Sequence, residues 1–193
     1  MGLLDILAGK RKLDKPAADR LFAITTAYVT FETKLSLTSR GSAAIVFQSL
    51  ATADFAAIVR DMTEVVTATA ADSQTRVETS EDSYGFSWLI LRGDDFDSLA
   101  VGINAVSAAL QDAGYGERIL CAVFAFQDSD PAHPRPVYWI YNYKRGYFYP
   151  FVPAAGGQQR DSERELVLKA QIGADLPVEP ELQRWFPLWG TPV

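Results

Sequence analysis

Val137-Tyr-Trp-Ile-Tyr-Asn-Tyr-Lys-Arg-Gly-Tyr-Phe-Tyr-Pro-Phe151 is the stretch from which the fold can be read. Aromatic and β-branched residues flank Lys144, Arg145 and Gly146, the composition of two strands joined by a tight turn. A three-residue loop with Gly146 in the left-handed region pairs Tyr143 with Tyr147, Tyr141 with Tyr149 and Trp139 with Phe151. Strand side chains alternate with period two, so this register puts all six rings on one side of a sheet. Two readings of that side stay open. The rings pack beneath helices as core with their hydroxyls reaching the rim, or they form an exposed amphipathic platform for a partner. A two-residue loop would scatter them. Pro150 cannot donate to a ladder, which places the second strand at or near an edge, where a partner can add a strand.

Working outward, residues 119–126 form an apolar run without alternation, the pattern of a strand covered on both faces. Cys121 lies inside it and reads as inert core. Residues 75–91 read as a second hairpin, its turn made by residues 81–85 with Gly85 free to take a positive φ. Phe96, Leu99, Ile103, Val106 and Leu110 recur at helical spacing between Asp94-Asp95 and Gly114. Two earlier helices show the same periodicity. One, opened by Asp14 and Pro16, carries Leu21, Ile24, Tyr28, Phe31 and Leu35 to about residue 37. The other, capped by Thr52 or Asp54, carries Phe55, Ile58, Val59, Met62, Val65 and Val66. Residues 39–42 break the first, and 43–48 read as a short strand. Asp161 caps a late helix with Glu163, Arg164 and Glu165 outside and Leu166, Val167 and Ala170 inside. Pro177, Pro180 and Pro187 leave at most one turn of helix near 181–185. The hairpins make the sheet mainly antiparallel: an α+β two-layer sandwich of about five to six strands with helices packed on it. Residues 1–13 read as an N-terminal amphipathic segment and 14–193 as a single domain.

Composition narrows the function. The chain has 193 residues, 48% of them hydrophobic, a net charge of -6, one Cys and one His. A single Cys excludes an internal disulfide and a cysteine-based zinc site, which suits a reducing compartment. The acidic balance argues against nucleic acid, whose binders need a cationic surface. No stretch approaches the ~20 apolar residues of a membrane span. The N-terminus puts Leu3, Leu4, Ile6 and Leu7 before Lys10, Arg11, Lys12 and Lys15, the reverse of a secretory signal. Such a segment either docks on its own domain or lies on a partner or an anionic membrane.

The usual constellations of chemistry are thin. His133 sits in a proline-rich loop without the rigid support that a catalytic base needs. One His and one Cys are too few for a transition-metal site, so no metal or cofactor is expected. Gly9-Lys10-Arg11 lacks the earlier glycine and the hydroxyl residue of a phosphate loop. The runs at 81–82, 94–97 and 128–130 lack EF-hand register and sit where turns and caps favour Asp. No residue stands out as catalytic.

The whole chain resembles a small bacterial family, the PspA-associated protein PspAB. The resemblance rests on Met1-Gly-Leu-Leu-Asp-Ile-Leu7, Asp19-Arg-Leu-Phe-Ala-Ile-Thr-Thr-Ala27, Asp82-Ser-Tyr-Gly-Phe-Ser-Trp88 and Tyr143-Lys-Arg-Gly-Tyr-Phe-Tyr-Pro-Phe151. It is strongest in Arg160-Asp161, Gly173-Ala-Asp-Leu-Pro-Val-Glu-Pro180 and Arg184-Trp-Phe-Pro-Leu-Trp-Gly190. It implies a link to PspA, the coiled-coil protein of the phage-shock response that guards the inner membrane, and no enzymatic activity. Secretion-chaperone-like folds of the YbjN type offer a looser, fold-level likeness.

These readings converge on a non-catalytic cytoplasmic adaptor, peripheral to the inner membrane if the N-terminal segment binds lipid. Its expected contact residues are Tyr143, Lys144, Arg145, Gly146, Tyr147 and Tyr149, with Leu3, Leu4, Ile6 and Leu7. Arg160, Asp161, Trp185 and Trp189 come second, the tail reading mainly as a hydrophobic clamp. The alternative is a small-ligand-binding protein or hydrolase with a pocket beside residues 137–151. A deep polar pocket containing Asp161 or Arg160 would favour it.

Overall fold

Elements follow the order that the periodicity predicts in the computed structural model, which describes residues 18–70, 75–82, 84–129 and 134–193. A turn of helix, α1 (Ala18–Leu21), leads into α2 (Ala23–Thr33), β1 (Leu37–Gln48) and α3 (Ala53–Ala70). The hairpin β2 (Arg76–Glu81) and β3 (Phe86–Arg92) precedes α4 (Phe96–Asp112). Then come β4 (Ile119–Asp128), β5 (Pro136–Asn142), β6 (Tyr147–Phe151) and α5 (Ser162–Ile172). The strands form one antiparallel sheet in the order β2-β3-β1-β4-β5-β6. The α+β reading holds.

Short polar residues set the boundaries. Thr52 Oγ1 accepts from the Phe55 amide at 3.3 Å, Asp95 from Ser98 at 3.2 Å and Asp161 from Arg164 at 2.9 Å, each satisfying a free donor of a first turn. Gly114, at φ 84°, ends the helical run after α4. Two boundaries differ from expectation. Residues 39–42 do not break the chain between helix and strand; they are a bulge inside β1, which already starts at Leu37. Ser39 pairs with Phe126 and Ser42 with Ala125, so two extra residues loop out. Gly41 makes this possible at φ 64°, where a Cβ would lie 2.9 Å from the Gly93 carbonyl oxygen.

The second difference concerns α5, whose faces are reversed. Glu165, Leu168 and Ile172 are buried, whereas Leu166, Val167 and Ala170 are exposed. The carboxylate turns inward because Arg160 and the Val152 amide both donate to it. A buried ion pair has displaced the apolar residues from the inner face.

The sheet is covered on both sides. Helices lie on one, burying Ala43, Ile45, Leu89, Phe124 and Trp139 with Phe31, Leu99 and Ile103. Gly102 lets α4 approach closely, since a Cβ there would sit 2.5 Å from Leu91 Cδ1. The other face buries Ala44, Val46, Trp88, Ile90, Val123 and Ile140, with Trp185 and Val193 of the C-terminal tail packed on it. Cys121 is buried there, and burial pushes its thiol up to about 12, so it stays protonated and inert.

The aromatic hairpin divides between the two layers. Asn142 pairs with Tyr147, Tyr141 with Phe148, Ile140 with Tyr149, Trp139 with Pro150 and Tyr138 with Phe151. This corrects the expectation that six rings share one side. The loop has four residues, not three, and a slip of one residue sends alternate side chains to the opposite face. Trp139, Tyr141, Tyr143 and Phe148 face the helices, whereas Tyr138, Tyr149 and Phe151 face the tail. Asn142 dictates the longer loop: its carbonyl accepts from the amides of Arg145 and Gly146, and its side chain from Lys144. Gly146 is left-handed at φ 70°, as expected.

Candidate functional site

The β5–β6 loop is locked from below. Arg145 forms ion pairs with Glu179 and Glu181 of the tail, and the Glu179 carboxylate is 2% exposed on the side-chain scale. The Glu181 amide also donates to Glu179, at 3.2 Å. The tail here acts as a short strand: the Phe148 amide donates to the Pro177 carbonyl and the Glu179 amide to the Phe148 carbonyl, both at 2.8 Å. The edge strand β6 is therefore already occupied at Phe148 by Val178. Above this anchor Lys144 is exposed and Gly146 buried. Tyr147 is half-buried, with the Arg20 guanidinium 5.9 Å from its ring centre. Tyr143 and Tyr149 are buried, and Tyr149 donates to the Phe186 carbonyl at 3.2 Å.

Opposing influences act on Glu179. Burial disfavours its charge, but the Arg145 hydrogen bond and the Glu181 amide outweigh burial and hold its carboxyl below 4.5. Its stabilising contribution is thus fully present above 4.5 and is lost as pH falls through the depressed folded value. Glu165 behaves oppositely. Burial exceeds the help from Arg160 and Val152, its carboxyl is raised, and stability gains as pH falls through that raised value. Across pH 3 to 7 the gap in denaturation midpoint between the wild type and Glu179→Gln is expected to narrow on the acid side. Glu179→Gln should start lower.

Arg160 is the second node. Its guanidinium donates to Glu165 at 3.1 and 2.8 Å and to the Trp185 carbonyl, and lies 5.7 Å from the Phe151 ring centre. The Trp185 indole donates to the Glu179 carbonyl at 3.1 Å, and Lys169 sits over its ring at 5.5 Å. Trp189 meets Phe151 edge-on at 4.9 Å. Arg160, Trp185 and Trp189 therefore tie the tail to the sheet, as a clamp does.

A polar cleft of about 570 Å³ opens at the far end of β5 from that loop. Lys34, Leu35 and Ser36 form one wall, Asp128, Ser129 and Arg135 another, and the cap Asp161 with Glu163 and Arg164 of α5 the third. Its inner charges are paired. Arg135 meets Asp161, and Arg164 reaches Asp128 and the Leu35 carbonyl, each at 2.9 Å. Lys34 and Glu163 stand exposed at the rim without an ion-pair partner among the described residues. Ser36 is in the left-handed region at φ 55°, the one non-glycine residue so placed among those described. Its carbonyl accepts from the Ser129 amide at 2.8 Å.

The structure thus brings Tyr143, Lys144, Arg145, Gly146 and Tyr147 together and joins Arg160 to Trp185. It separates Asp161 from both, in the cleft. Leu3, Leu4, Ile6, Leu7 and His133 lie outside the described residues. Sequence reasoning missed Glu179 as the anchor of Arg145, and Arg135, Asp128 and Arg164 as cleft residues. Their partners are 26 to 36 residues away in sequence, beyond any local pattern.

Among the described residues no group of three or more His, Cys, Asp and Glu side chains is arranged to hold a metal ion. No described helix is long and apolar enough to cross a membrane. No curated protein and no solved structure matches the chain. A family model does, over residues 1–193, and the fixed loop and the tail that anchors it both lie inside that match. The chain belongs to the PspAB family, PspA associated protein B.

Proposed function

We propose that this protein is a non-catalytic accessory of a PspA-linked membrane-stress response, acting in the cytoplasm by contact with a PspA-type coiled-coil protein. The observation that carries this reading is the preorganised loop within a chain of this family. Arg145 is pinned by Glu179 while Lys144 stays exposed beside half-buried Tyr147, a fixed cation next to an amphipathic ring. A fixed surface loses little conformational entropy on binding, and a coiled-coil partner offers rows of acidic side chains to meet it. Residues 1–13 supply a second contact, with the partner or with an anionic membrane.

Lys144→Glu is the direct test, since among the described residues Lys144 carries no structural tie beyond its amide. Capture of PspA on the immobilised wild type is expected, with a loss of about tenfold or more for Lys144→Glu. Equal capture by both proteins would remove the loop from the interface. Arg145→Glu serves as a folding control instead, because it sets two carboxylates together at Glu179. Deleting residues 1–12 should weaken binding to anionic liposomes or to PspA; unchanged binding disposes of the terminal contact.

One observation favours a second reading, a small-ligand-binding protein or hydrolase: the polar cleft contains Asp161. Its free rim charges, Lys34 and Glu163, suit a zwitterionic molecule. A thermal shift on adding amino acids or small amino phosphates, abolished by Lys34→Ala/Glu163→Ala, would establish it.

A further inference from the structure

The two edges of the sheet are treated differently. On β6 the tail bonds both main-chain groups of Phe148, Pro150 has no N–H, and the Asp161 amide takes the Val152 carbonyl. These are the usual devices that stop a sheet from growing. Among the described residues the opposite edge, β2, has none of them. Arg76, Glu78, Thr79, Ser80 and Glu81 are all exposed, and no described strand lies on the outer side of β2. Its outward main-chain groups can be identified. The Asp82 amide donates to the Phe86 carbonyl at 3.0 Å, so 82 and 86 form a hydrogen-bonded pair. The register between β2 and β3 is unbroken, and hydrogen-bonded pairs alternate along an antiparallel ladder. Ser80, Glu78 and Arg76 therefore bond inward to β3. Val77, Thr79 and Glu81 turn their N–H and C=O groups outward.

We propose that this edge joins two copies of the chain, β2 pairing antiparallel with β2 about a two-fold axis at Thr79. The symmetry and the charges select this register. Residues directly opposite each other point to the same face, so a two-fold axis normal to the sheet must lie midway between one residue and its own copy. With the axis at Thr79, the outward groups of Val77, Thr79 and Glu81 all find partners on Glu81, Thr79 and Val77 of the second copy. Arg76 then stands opposite Asp82, twice, and Glu78 opposite Ser80. An axis at Glu78 would set two carboxylates face to face, which is unfavourable. An axis at Val77 would move Glu81 off the paired length of β2 (Arg76–Glu81) and lose the two Arg76–Asp82 pairs. Asp82 is suited to its role, because the Trp88 indole and the Tyr84 and Phe86 amides, at 2.9 to 3.0 Å, fix its carboxylate in place.

Sedimentation and thiol trapping of the full chain test the pairing. The wild type is expected to dimerise with rising concentration, less so in high salt. Thr79→Pro removes an outward donor only, so it should raise the dissociation constant at least about tenfold while leaving the far-UV spectrum and melting temperature unchanged. Arg76→Glu, a surface change without a packing cost, should weaken the dimer as well. Thr79→Cys should cross-link to itself on mild oxidation, since directly opposed residues have Cα atoms about 5.5 Å apart, within disulfide reach. Buried Cys121 does not interfere. Three results would overturn the proposal: a monomeric wild type at about 1 mM, a dimer indifferent to Thr79→Pro and Arg76→Glu, or cross-linking of Val77→Cys in place of Thr79→Cys.

Discussion

Arg160→Ala is expected to cost about 3–5 kcal/mol of stability, a large share of the roughly 5–15 kcal/mol typical of a domain. The loss comes from what remains behind. Glu165 has a side chain only 3% exposed, and without Arg160 it loses the partner that favours its charge while burial still opposes it. Among the described residues its one other donor is the Val152 amide at 2.9 Å. The Trp185 carbonyl would lose a donor too, loosening the tail over the sheet. A second substitution separates this cause from simple loss of packing. Glu165→Gln keeps an acceptor for Val152 and removes the charge, so Arg160→Ala/Glu165→Gln should recover much of the loss. Urea denaturation of the four proteins provides the comparison. A double variant no more stable than Arg160→Ala would show that the uncompensated carboxylate is not the cause.

That pair also shows where the sequence stops being legible. Element order, caps and sheet type are local or nearly so. Thr52, Asp95 and Asp161 announce helix starts, Gly85 and Gly146 announce turns, and all are visible in short windows. The inward turn of Glu165 is not, because its cause, Arg160 beneath Phe151, exists only once β6 and α5 have met. The hairpin register failed on a finer point. Three-residue and four-residue loops both accommodate a left-handed Gly146, and only the Asn142 side chain, bonded to the Lys144 amide, decides between them. That single residue moved Trp139 and Phe151 to opposite layers. The candidate loop was legible as a basic turn among aromatics. Its rigidity was not, since Glu179 lies 34 residues downstream in a stretch whose prolines read only as coil. The cleft gave no signal at all, being assembled from four separate segments.

Trp185→Ala should cost a comparable amount, about 3–5 kcal/mol, although it lies in a tail with almost no regular structure. The ring is 5% exposed and stacks near Tyr149, with centroids 6.3 Å apart. Its removal also leaves the Glu179 carbonyl without the indole donor, and Glu179 is the anchor of Arg145. The neighbouring ring supplies the control. Phe186 is 59% exposed, and its bond from Tyr149 uses only its main-chain carbonyl, so Phe186→Ala should change stability by no more than about 0.5 kcal/mol. The two substitutions remove similar aromatic bulk one residue apart, so composition alone would rank them equally. If the measured losses are equal, the tail is not a folded layer, and the rigid presentation of Lys144 loses its physical basis. If Trp185→Ala also binds an apolar dye and weakens capture of PspA while Phe186→Ala does neither, the tail, the sheet and the loop form one cooperative unit.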